Sequence, residues 1–138
     1  MTNNRDIQEN GKLICEFLEL SIRDKRAKSN PVYYIPFSTI SCLEYWPDGG
    51  DPSISQDTDI RASETLFHSD WNWIMVVVEK IESTHNYQDF EIVGNRAKLN
   101  SYSALNDCFD DFFDGETKLE ATYKAAVEFI KWYNLNKI

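Results

Sequence analysis

Basic residues are scarce in this chain. Fourteen lysines and arginines stand against 23 aspartates and glutamates, a formal net charge of −9 at pH 7 over 138 residues. A surface of that sign repels a phosphate backbone, which excludes generic nucleic-acid binding and suits a basic partner, although solubility alone also explains it. Histidine is scarcer: only His68 and His85 occur, so a multi-histidine metal centre is excluded. The three cysteines, Cys15, Cys42 and Cys108, are odd in number and form no C-x-x-C pair. Neither a disulfide framework nor a structural zinc site has the spacing it needs, and free, mostly buried thiols in a reducing compartment are expected. Apolar runs are short, the longest being Trp73 to Val78, far below the length that spans a bilayer. The start, MTNNRDIQEN, is polar and predicts no signal peptide. The expectation is a cytoplasmic protein with no membrane association and no direct nucleic-acid contact. None of the phosphate-loop, dinucleotide-loop or nucleophile-elbow patterns is found, and no cofactor is expected. No internal repeat or low-complexity tract is visible.

What the chain does have is apolar and aromatic mass: 42% hydrophobic and 14% aromatic residues. A chain of this length buries roughly 65–70% of its unfolded surface, enough for a core of its own. One α+β domain over 1–138 is expected.

An amphipathic pattern predicts a first helix from Asp6 to Ile22, with Leu13, Phe17 and Leu20 on one face. Gly11 weakens its first half, which allows the helix to begin after that glycine. RDKRAKSNP, residues 23 to 31, is the one basic cluster and reads as a solvated loop. In VYYIPF, Tyr33, Ile35 and Phe37 alternate with their neighbours as in a strand, and Pro36 places it at an edge or ends it. A second strand is expected at 40–46 and a long surface loop over 47–65.

LFHSDWNWIMVVVEKIES, residues 66 to 83, reads as a helix with Ser69 as N-cap and Asp70 in the first turn. Trp71, Ile74, Val78 and Ile81 recur at helical spacing. Trp73 and Val77 cover the adjoining face, so a central helix with both tryptophans buried is predicted. FEIVGNRAKLN, residues 90 to 100, predicts a hairpin turning at Gly94-Asn95, with glycine first as a type II′ turn prefers. That turn pairs Val93 with Arg96, Ile92 with Ala97, Glu91 with Lys98 and Phe90 with Leu99. The acidic stretch at 106–116 reads as a solvated turn, with Phe109, Phe112 and Phe113 directed inward. A closing helix follows, opened by the capping-box spacing of Thr117 and Glu120 and ending near Asn134.

Three candidate sites stand out. His68-Ser69-Asp70 has the residue types of a nucleophilic triad, but triad members converge from separate segments. A helix cap explains Ser69 and Asp70, which leaves His68 as a candidate anion site beside a helix N-terminus. DPSIS, residues 51 to 55, is a weak match to cation-binding loops; Gln56 and Ala62 stand where a calcium loop needs glycine and a bidentate glutamate. Asp107, Asp110, Asp111, Asp114 and Glu116 form a carboxylate run without a basic residue, a candidate surface for a basic protein. No catalytic, cofactor-binding or metal-ligating residue is assigned.

HSDWNWIMVVVEKIES and TKLEATYKAAVEFIKWYN, residues 68–83 and 117–134, resemble the tryptophan-rich central helix and the closing helix of a group of small uncharacterised bacterial and phage proteins. There is a weaker similarity to phage α/β/α-sandwich domains. The matching blocks cover about a quarter of the chain. The resemblance implies fold and lineage and carries no site residue. Its relatives often have a proline where this chain reads Met75-Val76-Val77, which makes this helix more regular.

The expected architecture is α-β-β-α-β-β-α, with helices packed on a small, mainly antiparallel sheet. The leading functional expectation is an acidic accessory protein of phage or prophage type that binds another protein. The alternatives are a small hydrolase or metal-dependent enzyme near His68 or the acidic loops, and an acidic nucleic-acid mimic that occupies a basic partner.

Overall fold

The structure is a computed structural model that describes residues 3–24, 28, 30–35, 58–83, 88–102 and 108–136. The expected strand at 40–46, most of the expected loop and DPSIS lie outside the described residues. The class is α+β, with antiparallel pairing throughout the described strands. The chain divides into two compact units, Met1–Leu66 and Phe67–Ile138. Each carries its own three-stranded sheet.

The first unit opens with α1, Asn4–Phe17. Asn3 caps it, its side-chain oxygen accepting the Asp6 N–H at 2.8 Å. The helix is displaced from the predicted 6–22 at both ends. It begins before Gly11 because that glycine is a contact point. A Cβ at Gly11 would collide with the Ala62 carbonyl oxygen and lie 2.5 Å from Thr65 Oγ1. The helix ends early because Glu19 adopts a left-handed φ of 61°. Its N–H bonds the Glu16 carbonyl at 3.0 Å, and the Leu20 N–H reaches back to Cys15 at 3.1 Å. These two bonds close a Schellman turn without the usual glycine.

Ser21 and Ile22, predicted as the end of that helix, and Arg23 and Asp24, predicted as the start of the basic loop, together form β1, Ser21–Asp24. This strand pairs with β2, Val32–Ile35, which pairs in turn with β3, Thr58–Arg61. Tyr33 and Ile35 are buried, as their alternation predicts, and Ile60 is buried opposite Tyr33. The ladder is irregular between Ile22 and Asp24. Arg23, at that irregularity, stacks on the Tyr34 ring at 4.4 Å and pairs with Asp59 at 3.4 Å. The end of the expected loop is thus structured, as β3 and a 3-10 turn at Ala62–Glu64.

The second unit begins with α2, Trp71–Ser83. Asp70, and not Ser69, is its cap. The Asp70 carboxylate accepts the Asn72 N–H at 2.8 Å, and its carbonyl accepts the Ile74 N–H at 3.1 Å. Then come β4, Gln88–Val93, and β5, Arg96–Tyr102, in the predicted register. Gly94 has φ 58°, and of the two turn residues it alone lies in that region, as a type II′ turn requires.

The acidic stretch is not a turn. Cys108–Asp114 forms β6 and pairs along β5, with Arg96 opposite Asp114 and Ala97 opposite Phe113. Ala97, Ala121 and Ala125 then make a small-residue seam, flanked by Phe90 and Phe113, between β5 and the closing helix α3, Lys118–Asn136. Gly115 fits this approach, since a Cβ there would lie 2.7 Å from the Ala121 nitrogen. Thr117 caps α3 as predicted: its hydroxyl oxygen accepts the Glu120 N–H at 3.1 Å.

Candidate functional site: an outward helix face

The carboxylates of 106–116 do not form one acidic surface. Asp107 lies outside the described residues, and Asp110 is placed only by its backbone, opposite Asn100. Strand alternation sends Asp111 and Asp114 to opposite faces. Asp114 is also not free of counter-charge. Arg96 grips it with two bonds, Nε to Oδ1 at 2.7 Å and Nη2 to Oδ2 at 3.3 Å. The Arg96 hydrogen bond holds the Asp114 carboxyl below its ordinary range. Phe112 turns outward instead of inward, with the Arg96 guanidinium 4.2 Å from its ring centroid. The Asp111 carboxylate accepts the Phe112 N–H at 2.8 Å, and Glu116 is exposed.

His68 is partly buried, with its ring edge-on to Tyr123 at 6.3 Å. Burial lowers its pKa, which favours the neutral imidazole and weakens any hold on an anion. The first amides of α2 already have a carboxylate beside them, that of Asp70. The geometry therefore gives the anion reading no support. Cys15 is buried, and burial pushes its thiol up to about 12, which suits a core position and not a nucleophile. Tyr33 is fully buried beside it in the same core, and its hydroxyl has no hydrogen-bond partner among the described residues. Among the described residues no group of three or more histidine, cysteine, aspartate or glutamate side chains is placed to hold a metal ion.

The surface that does stand out belongs to α2. The two tryptophans differ sharply. Trp73 is 1% exposed, its ring edge-on to Phe67 at 5.0 Å, whereas Trp71 is 40% exposed. Met75, one turn on, is 37% exposed. The helix buries Trp73, Ile74, Val77, Val78 and Ile81, and Trp71 stands at the edge of that arc, about 20° from Val78, with Met75 farther out. At 100° per residue, Trp71, Met75, Glu79 and Glu82 fall within an arc of about 80°. Glu79 and Glu82 are exposed, and no ion pair ties either to a described cation. Glu82 lies in the last turn, where the helix dipole disfavours a carboxylate, and Glu79 lies one turn earlier. Glu79 and Glu82 mark the solvent side of the later turns in the sequence, but Val78, as near to Trp71 around the helix as Glu82, leaves the side of Trp71 undecided there.

Among the described residues, no helix is long and apolar enough to cross a membrane. Comparison with known protein families, with curated proteins and with solved structures gives no match.

Proposed function

We propose that this is a small acidic accessory protein, of phage or prophage type, that acts in the cytoplasm by binding another protein through the outward face of α2. The observation that carries the reading is the exposure of Trp71 and Met75 beside the buried face of a helix whose core residues are already Trp73, Ile74, Val77, Val78 and Ile81. Tryptophan and methionine are enriched where proteins meet, and the parts of these two side chains left in water lower solubility. The placement of Glu82 against the helix dipole points the same way. Departures from local rules concentrate at functional surfaces. The lineage part of the proposal rests on the resemblance of the blocks that form α2 and α3, two helices that pack on each other in one unit.

A nucleic-acid mimic is less well supported. Arg96 and Lys98 share the outer sheet face with Asp114, so that face is of mixed sign. An affinity capture with the intact chain tests the proposal. A Trp71→Ser, Met75→Ser variant, shown to fold by its denaturation midpoint, should lose the captured protein, while Asp111→Lys, Glu116→Lys should retain it. Equal capture by all three removes α2 from consideration.

A further inference from the structure

We infer that the partner segment bound on α2 is a basic amphipathic helix, whose apolar side chains cover Trp71 and Met75 and whose lysines or arginines, one to two turns away, meet Glu79 and Glu82. The inference rests on the proposal that this face binds a protein, and it names the chemistry of what is bound.

Backbone geometry selects the kind of element. An α-helix spends its N–H and C=O groups internally, so α2 has no free ladder to offer an extended strand. Recognition must run through side chains. A helix suits such a surface, because it satisfies its own backbone and presents only side chains. Ridge-into-groove packing of two helices also needs no cavity.

Charge and spacing then select the sequence. The apolar pair occupies the first half of α2 and the unpaired carboxylates the second half. Met75 precedes Glu79 by four residues and Glu82 by seven, a rise of about 6 and 10 Å. A partner helix lying along this face meets both patches with positions four and seven residues apart. The negative end of the α2 dipole adds to the two carboxylates, so the cationic side chains belong over the C-terminal half. A second copy of this chain is a poor occupant, because each copy carries a net charge of −9.

The probe is a pair of synthetic 18-residue helical peptides in an alanine-rich host. Each has two leucines, followed one and two turns later by lysines in one peptide and by glutamates in the other. Their binding to the intact chain is followed by fluorescence anisotropy of a label on the peptide. The wild-type chain should prefer the lysine peptide by about tenfold, the combined worth of two exposed ion pairs. Glu79→Lys, Glu82→Lys should invert that preference, and Trp71→Ser should weaken both peptides. Glu9→Lys, Glu128→Lys makes the same change in net charge on other helices and should leave the preference in place. Equal loss in the two charge-reversed variants means binding follows net charge alone and overturns the inference. If Trp71→Ser abolishes partner capture while Glu79→Lys, Glu82→Lys changes neither capture nor peptide preference, the inference fails and the protein-binding proposal stands. If Trp71→Ser also changes nothing, both fail. Glu79→Gln, Glu82→Gln serves where reversal unfolds the chain, and it should erase the preference without inverting it.

Discussion

Gly11→Ala sets two effects against each other, and the structure decides the sign. On helix propensity alone, alanine in a helix interior gains about 0.8–1.0 kcal/mol over glycine. The site is buried, however, and the new methyl would strike the Ala62 carbonyl oxygen and lie 2.5 Å from Thr65 Oγ1. That turn is not free to retreat. The Thr65 hydroxyl donates to the Ala62 carbonyl at 2.9 Å, and the Ala62 N–H donates to the Pro31 carbonyl at 3.0 Å. Making room costs an overpacking strain of about 1–3 kcal/mol and endangers a hydrogen bond worth about 0.5–1.5 kcal/mol. The net expectation is a loss of about 1–3 kcal/mol despite the better helix former. Urea denaturation of both chains measures it, with the slope checked for constancy. A midpoint at or above the wild-type value would mean that α1 does not approach the 62–65 turn through its glycine.

Three further outcomes are expected. Glu19→Gly should stabilise by up to about 1 kcal/mol, because it relieves a left-handed φ of 61° in a residue with a side chain; a loss of stability would place the helix end elsewhere. Tyr33→Phe should be neutral or stabilising by about 1 kcal/mol, since it removes a buried hydroxyl without a partner among the described residues, and a drop in the denaturation midpoint would reveal a bond to that hydroxyl. Alkaline pH should destabilise: the Cys15 thiol ionises near 9.0 in the unfolded chain but only near 12 in the folded one, so the unfolded state loses its proton first. Stability from this group is complete below pH 9 and falls as pH rises toward 12. Midpoints at pH 8 and 10 should differ in the wild type and differ less in Cys15→Ala; equal differences in the two chains would count against a buried Cys15.

The parts of the fold legible in the sequence are those where pattern and punctuation agree. The β4–β5 hairpin has alternation on both sides of Gly94-Asn95, and its register follows from the turn alone. The closing helix has a cap at Thr117 and a broad apolar face. The end of α1 was hidden because Glu19 does the work of a glycine, and the pattern of apolar residues runs on into β1. Strand β6 was hidden because its four phenylalanine and cysteine side chains do not alternate with its three aspartates, and carboxylates disfavour strands. Partners opposite in space, Arg96 for Asp114 and Ala62 for Gly11, lie far apart in the chain and leave no local trace. Of the candidate site, the segment was legible and its orientation was not. Apolar residues nearly surround the first two turns of α2, so periodicity alone did not tell Trp73 from Trp71.

That α2 carries a core face and a contact surface beside it is tested most directly by the unfolding free energies of Trp73→Ala and Trp71→Ala, measured side by side. Trp73 is 1% exposed, and its truncation should cost about 3–5 kcal/mol, the range for a large core aromatic. Trp71 is 40% exposed, and its truncation should cost about 1 kcal/mol or less. Similar losses of about 3 kcal/mol or more for both would make Trp71 a core residue and leave α2 without an outward apolar face to offer a partner.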